Sequence, residues 1–156
     1  MAKLSEDQLQ KIWFLSDTVL YPEAVAFIRR LVNDEQCSPL PTSQVKGLEN
    51  IAESYKYDKL YHFVTHQRDR DWPVSKQSIK TLYTNLEKDF TIMKNRRLKD
   101  EFHLVSEGLN TQEARDEINA LMAALAHEFI QHMVAENGLL DVAEREKRAR
   151  EQSNRR

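Results

Sequence analysis

Across 156 residues the chain places only three glycines and four prolines. That scarcity constrains the fold more than any motif does. A β-sandwich or barrel needs a tight turn every few residues, each asking for Gly, Pro or Asn-Gly. A Rossmann domain or a P-loop needs clustered glycines to bring backbone against phosphate. Gly47, Gly108 and Gly138 lie too far apart for either. What remains is a chain that turns seldom and repeats its apolar residues at steps of three and four. The fold class this predicts is all-α, a compact bundle of about six helices.

The helices are legible one by one. Ser5 can cap a first helix with Leu9, Ile12 and Trp13 on one face. Pro22 suits the first position of a second, striped by Ala24, Val25, Phe27, Ile28, Leu31 and Val32. Residues 33–41, with Pro39 and Pro41, read as a loop. Thr42 or Ser43 starts a third helix, ending near Ser54. A fourth runs from about Tyr57 to Arg70 and stops at Trp72-Pro73. A fifth opens near Ser75 with Ile79, Leu82, Tyr83, Leu86, Phe90 and Met93 inward. Asn110, three residues before Glu113, caps a sixth, and Gly138 marks its expected end. Residues 1–140 then form a single helical domain. Residues 141–156, rich in charge and poor in apolar side chains, read as a frayed C-terminal tail.

The single cysteine, Cys37, excludes an internal disulfide and a cysteine-rich zinc site. The first residues carry acids where a secretory leader would carry bases, and no apolar run spans ~18 residues. The expectation is a cytoplasmic domain without a membrane segment. Net charge is −2 but unevenly spread. Residues 43–99 hold 12 bases and 7 acids, while both flanking segments are acidic. A basic middle between acidic ends points one surface toward an anion.

No catalytic set emerges. His127 and His132 are five apart, about 140° around a helix, so they cannot share a metal as a pair four apart would. His62 and His66 are four apart, with Asp58 one turn earlier. They define a metal-dependent hydrolase as a lesser reading, which would need a further ligand from another element. No nucleophile elbow surrounds any serine. The chain is therefore expected to be no enzyme, with no cofactor and no metal.

The most informative stretch is Thr42-Ser43-Gln44-Val45-Lys46, read together with His66-Gln67-Arg68-Asp69-Arg70 and Trp72. A helix start leaves backbone N–H groups facing out, and the macrodipole favours phosphate there. Lys46 adds a charge one turn in. Arg68 and Arg70 offer planar forks for phosphate oxygens, and Trp72 a face for stacking. Lys76 and Lys80 extend the patch onto the next helix. The candidate RNA-binding set is thus Thr42, Ser43, Gln44, Lys46, His66, Gln67, Arg68, Arg70, Lys76 and Lys80. The opposing reading makes Thr42-Ser43-Gln44 a plain cap and Arg68–Asp71 a local ion-pair ladder.

The run Glu23–Leu31, then Leu40-Pro41-Thr42-Ser43-Gln44-Val45-Lys46-Gly47-Leu48 and Phe63-Val64-Thr65-His66-Gln67-Arg68-Asp69-Arg70, resembles the helical small subunits of type III CRISPR effector complexes. The resemblance covers residues 22–72. Lys46 stands where that family usually has arginine. The resemblance implies a non-catalytic subunit of an antiviral ribonucleoprotein. Several further copies of itself would stack beside the large and backbone subunits, lining the path of guide RNA and target RNA through backbone contacts. Base pairing would carry the sequence information. The alternative is a helical protein–protein adaptor module without nucleic-acid binding, docking through the acidic last helix.

Overall fold

The computed structural model describes residues 3–155. Met1, Ala2 and Arg156, the outermost residues of the expected domain and tail, lie outside the described residues. Among those described there is no strand, and 82% of the described residues are helical. The helices are five rather than six: α1 (6–34), α2 (Thr42–Glu53), α3 (Tyr57–Asp69), α4 (74–101) and α5 (Thr111–Asn154).

The missing boundary is at Pro22. The first two expected helices are continuous, because a π-helical turn at Ser16–Leu20 precedes the proline. A proline inside an α-helix clashes with the carbonyl four residues back and leaves it without a donor. In the π turn the Tyr21 N–H bonds instead to the Ser16 carbonyl, five residues back. The widened turn takes in the ring without breaking the rod. Ser5 caps α1 as its position predicts, in a reciprocal pair with Gln8 (3.1 and 2.9 Å).

Gly138 does not end the last helix. Its backbone stays helical, outside the left-handed conformation that terminates helices. The helix continues to Asn154, 44 residues or roughly 66 Å in all. Past Leu140 it overhangs the bundle, supported by Arg145–Asp141 and Arg148–Glu144 pairs one turn apart (3.0 and 2.6 Å).

The first two-thirds of α5 is the central post. The stripe Leu121, Met122, Leu125, Phe129 and Met133 is fully or nearly fully buried. Phe129 meets Phe27 of α1 and Phe90 of α4 edge-on, with centroids 5.7 and 6.0 Å apart. Asn137, buried on α5, grips the loop before α2: its amide oxygen accepts from Leu40 N–H (2.7 Å) and its nitrogen donates to Leu40 C=O (3.1 Å). That clamp fixes where α2 begins, and so where the candidate site sits.

Candidate nucleic-acid interface

The structure brings three helix ends together. The Ser38 N–H, in the loop before α2, donates to Ser78 Oγ at the start of α4 (3.0 Å). Tyr83 on α4 donates its hydroxyl to Gln44 Oε1 in the first turn of α2 (3.0 Å). Lys80 Nζ on α4 donates to the Arg68 carbonyl at the end of α3 (2.9 Å). Thus the start of α2, the end of α3 and the start of α4 share one end of the bundle. Gly47 permits the approach of α2 to α3, since a Cβ there would lie 3.3 Å from the Phe63 ring.

None of Thr42, Ser43 or Gln44 is the cap. That position is held by Pro41 in an extended conformation, and no side chain caps the helix. A proline offers no oxygen beyond its carbonyl, so the first-turn amides of Thr42, Ser43 and Gln44 keep their donor capacity. Thr42, Ser43 and Lys46 are exposed, and Gln44 is half-buried against Tyr83.

The α3 end is more heavily engaged than its sequence implies. Gln67 is buried; its Oε1 accepts from Arg70 Nη1 (3.3 Å) and its carbonyl from the Trp72 indole N–H (2.6 Å). Trp72 is only 8% exposed, and its face is covered by the Arg70 guanidinium at 4.2 Å. The expected stacking role for Trp72 is therefore closed off: the ring locks the corner between α3 and α4. Arg68 is held by both Asp69 oxygens (2.8 and 3.0 Å) and by Glu87 (3.4 Å). Those Arg68 hydrogen bonds hold the Asp69 carboxyl below its usual range. Of the ion-pair ladder read over Arg68–Asp71 only the Arg68–Asp69 pair is present, and together with Glu87 it largely neutralises Arg68.

Lys46, Arg70, Lys76 and Lys80 have no carboxylate partner among the described residues. His66 is exposed and stacks on His62, centroids 6.4 Å apart at 18°. Farther along α4, Arg97 is bound by Glu23 (2.6 Å) and Glu101 (2.6 Å), so it belongs to the frame rather than to a free basic surface.

The five-residue separation of His127 and His132 sends them to different neighbours, as helical geometry requires. His127 Nδ1 meets the Tyr55 hydroxyl at 3.1 Å, and His132 Nε2 meets Ser16 Oγ at 2.8 Å. Among the described residues no group of three or more His, Cys, Asp or Glu side chains is disposed to hold a metal ion. No described helix is long and apolar enough to cross a membrane. The sequence reading missed the Gln44–Tyr83 tie. Its only signal was a tyrosine on an inward stripe, whose hydroxyl usually pairs when buried.

No family model, curated protein or solved structure matches the chain.

Proposed function

We propose that the chain is a non-catalytic RNA-binding subunit, of the kind that lines the guide RNA–target RNA path in a cytoplasmic type III CRISPR effector complex. One observation carries the reading: the uncapped α2 start converges with four cations that have no carboxylate partner, Lys46, Arg70, Lys76 and Lys80, at one end of the bundle. Outward amides at a helix start and lysines without a carboxylate partner suit phosphate oxygens and carry no base preference. The large and backbone subunits and further copies of the chain would supply the rest of the path.

The test is a triple charge reversal, Lys46→Glu, Arg70→Glu and Lys76→Glu, with target-RNA affinity measured against salt in the assembled complex. Arg68 is left intact because its ion pairs hold α3 to α4. The variant loses the Arg70 contacts with Trp72 and Gln67, so it is expected to melt somewhat earlier but still cooperatively, and to lose affinity for unrelated RNA sequences alike, with a shallower salt slope. A folded variant that assembles and binds target RNA with wild-type affinity and slope overturns the reading.

The adaptor reading keeps one specific support. Trp13, Phe14 and Tyr21, 59%, 68% and 52% exposed, leave large aromatic area on the outer side of α1. Exposed aromatics of this kind are typical protein-contact residues.

A further inference from the structure

Beside the cationic end, α3 borders an open cleft of about 470 Å³, lined by Ile51, Asp58, Lys59, His62, Phe63 and His66. Resting on the RNA reading above, we propose that this cleft receives one unstacked RNA base, laid against the imidazole faces of His62 and His66 and the Phe63 ring. The cleft then selects strands that offer an unpaired nucleotide.

The argument starts from the spacing. Lys59, His62 and His66 follow each other at steps of three and four, so they form one stripe along α3, and Arg70, four positions on, is the cap residue just past its end. All four are exposed. The stripe leads to Arg70, which already belongs to the cationic end, so a strand tracking that end continues onto it. Between the two cations lie two imidazoles, nearly parallel at 18°. Flat aromatic faces beside backbone-binding cations are what an unstacked base needs. The inner part of the cleft does not favour phosphate, since Ile51 and Phe63 contribute apolar surface and the exposed carboxylate of Asp58 repels an anion, whereas Lys59 on the same lining attracts one. Charge therefore sorts the nucleotide, with its phosphates toward Lys59 and Arg70 and its neutral ring toward the histidines. A fully paired duplex keeps its bases stacked inside and cannot fill the cleft.

The test uses the purified full chain at low salt. The two probes are a fully paired RNA duplex and the same duplex with one bulged 2-aminopurine. The bulged probe should bind about tenfold tighter, with a change in 2-aminopurine fluorescence on stacking. His62→Ala with His66→Ala should erase that preference, so that both probes bind the variant equally. His62→Phe with His66→Phe should retain it, because a phenyl face also stacks. Melting curves control for folding. An alanine variant that keeps the preference, or a wild type without one, overturns the inference. The Lys46→Glu, Arg70→Glu, Lys76→Glu variant separates the two readings. If it loses both probes while the alanine variant behaves as wild type, the RNA reading stands and the cleft does not. If it keeps the paired duplex, the cationic end is not the RNA surface, whatever the histidines do.

Discussion

The seam between α1 and α5 and the end formed by α2, α3 and α4 handle charge in opposite ways. Along the seam, polar side chains are partnered. Arg29 donates to the buried Glu136 at 2.7 Å. Gln8 reaches Glu117 (3.1 Å), which also takes the Ser106 N–H (2.7 Å). Ser16 lies between Glu128 (3.2 Å) and His132 (2.8 Å). At the α2–α4 end Arg68 is paired with Asp69 and Glu87, but Lys46, Arg70, Lys76 and Lys80 stand without carboxylates among the described residues, and a helix start stands without a cap. A fold gains little from exposed lysines without a carboxylate, so Lys46 and Lys76 are not part of what holds the chain together. Partnering in one region and its absence in the other separates what holds the molecule together from what is free to bind.

That contrast breaks most readily at the centre of the frame. Phe129→Ala empties the contact of α5 with both Phe27 and Phe90. Truncating a buried phenylalanine typically costs ~3–5 kcal/mol. Chemical denaturation should show a loss of that size. A loss under 1 kcal/mol would mean that the three-ring contact is not the core of the frame.

Next come the charges themselves. Arg29→Ala leaves Glu136, 7% exposed, without its partner. Arg29 itself is more than half exposed, so the solvent-screened cost is about 1–2 kcal/mol. Lys46→Ala and Lys76→Ala, which break no pair, should change stability by less than ~0.5 kcal/mol. The comparison is read from denaturant midpoints of the three variants. If Lys46 or Lys76 costs as much as Arg29, the α2–α4 end is structural and the distinction between the regions fails.

How much of this was legible without coordinates follows from the range of each interaction. The inward stripe of α4 and the capping of α1 and α5 depend on residues three or four apart, and the structure reproduces them. The fusion at Pro22 was not legible, because proline marks either a helix start or a tolerated interruption. Only the π turn at Ser16–Leu20 decides between them. Gly138 misled for a similar reason: glycine ends a helix only when its backbone turns left-handed. At the candidate site, exposed Lys46 and Lys76 were readable from their position. The burial of Gln67 and Trp72 was not, since both face a corner set by α3 and α4 together. The pairing of Arg68 with adjacent Asp69 was within reach of the opposing reading, but its second partner, Glu87, 19 positions away on α4, was not. Local pattern specifies elements and caps; which cation is free depends on what tertiary packing brings beside it.

The smallest effect is expected at the far end of α5, where the two habits of charge meet. Residues 144–154 carry pairs, but only with their own helix: Arg148 with Glu144 at 2.6 Å and Arg150 with Glu146 at 3.9 Å. Exposed pairs of this kind contribute about 0.3–0.5 kcal/mol each to the helix, against an ordering cost of similar scale per residue or larger. No residue from 145 to 154 is buried, so the overhang adds nothing to the core. Removing residues 144–156 should therefore shift the denaturation midpoint by less than ~0.5 kcal/mol and reduce helical ellipticity only in proportion to the residues lost. Pairing within one element differs from pairing across the seam, since it supports the helix locally and ties it to nothing else. A truncated chain that aggregates, or melts without cooperativity, would show that the overhang packs onto the bundle and that its charges belong with those of the seam.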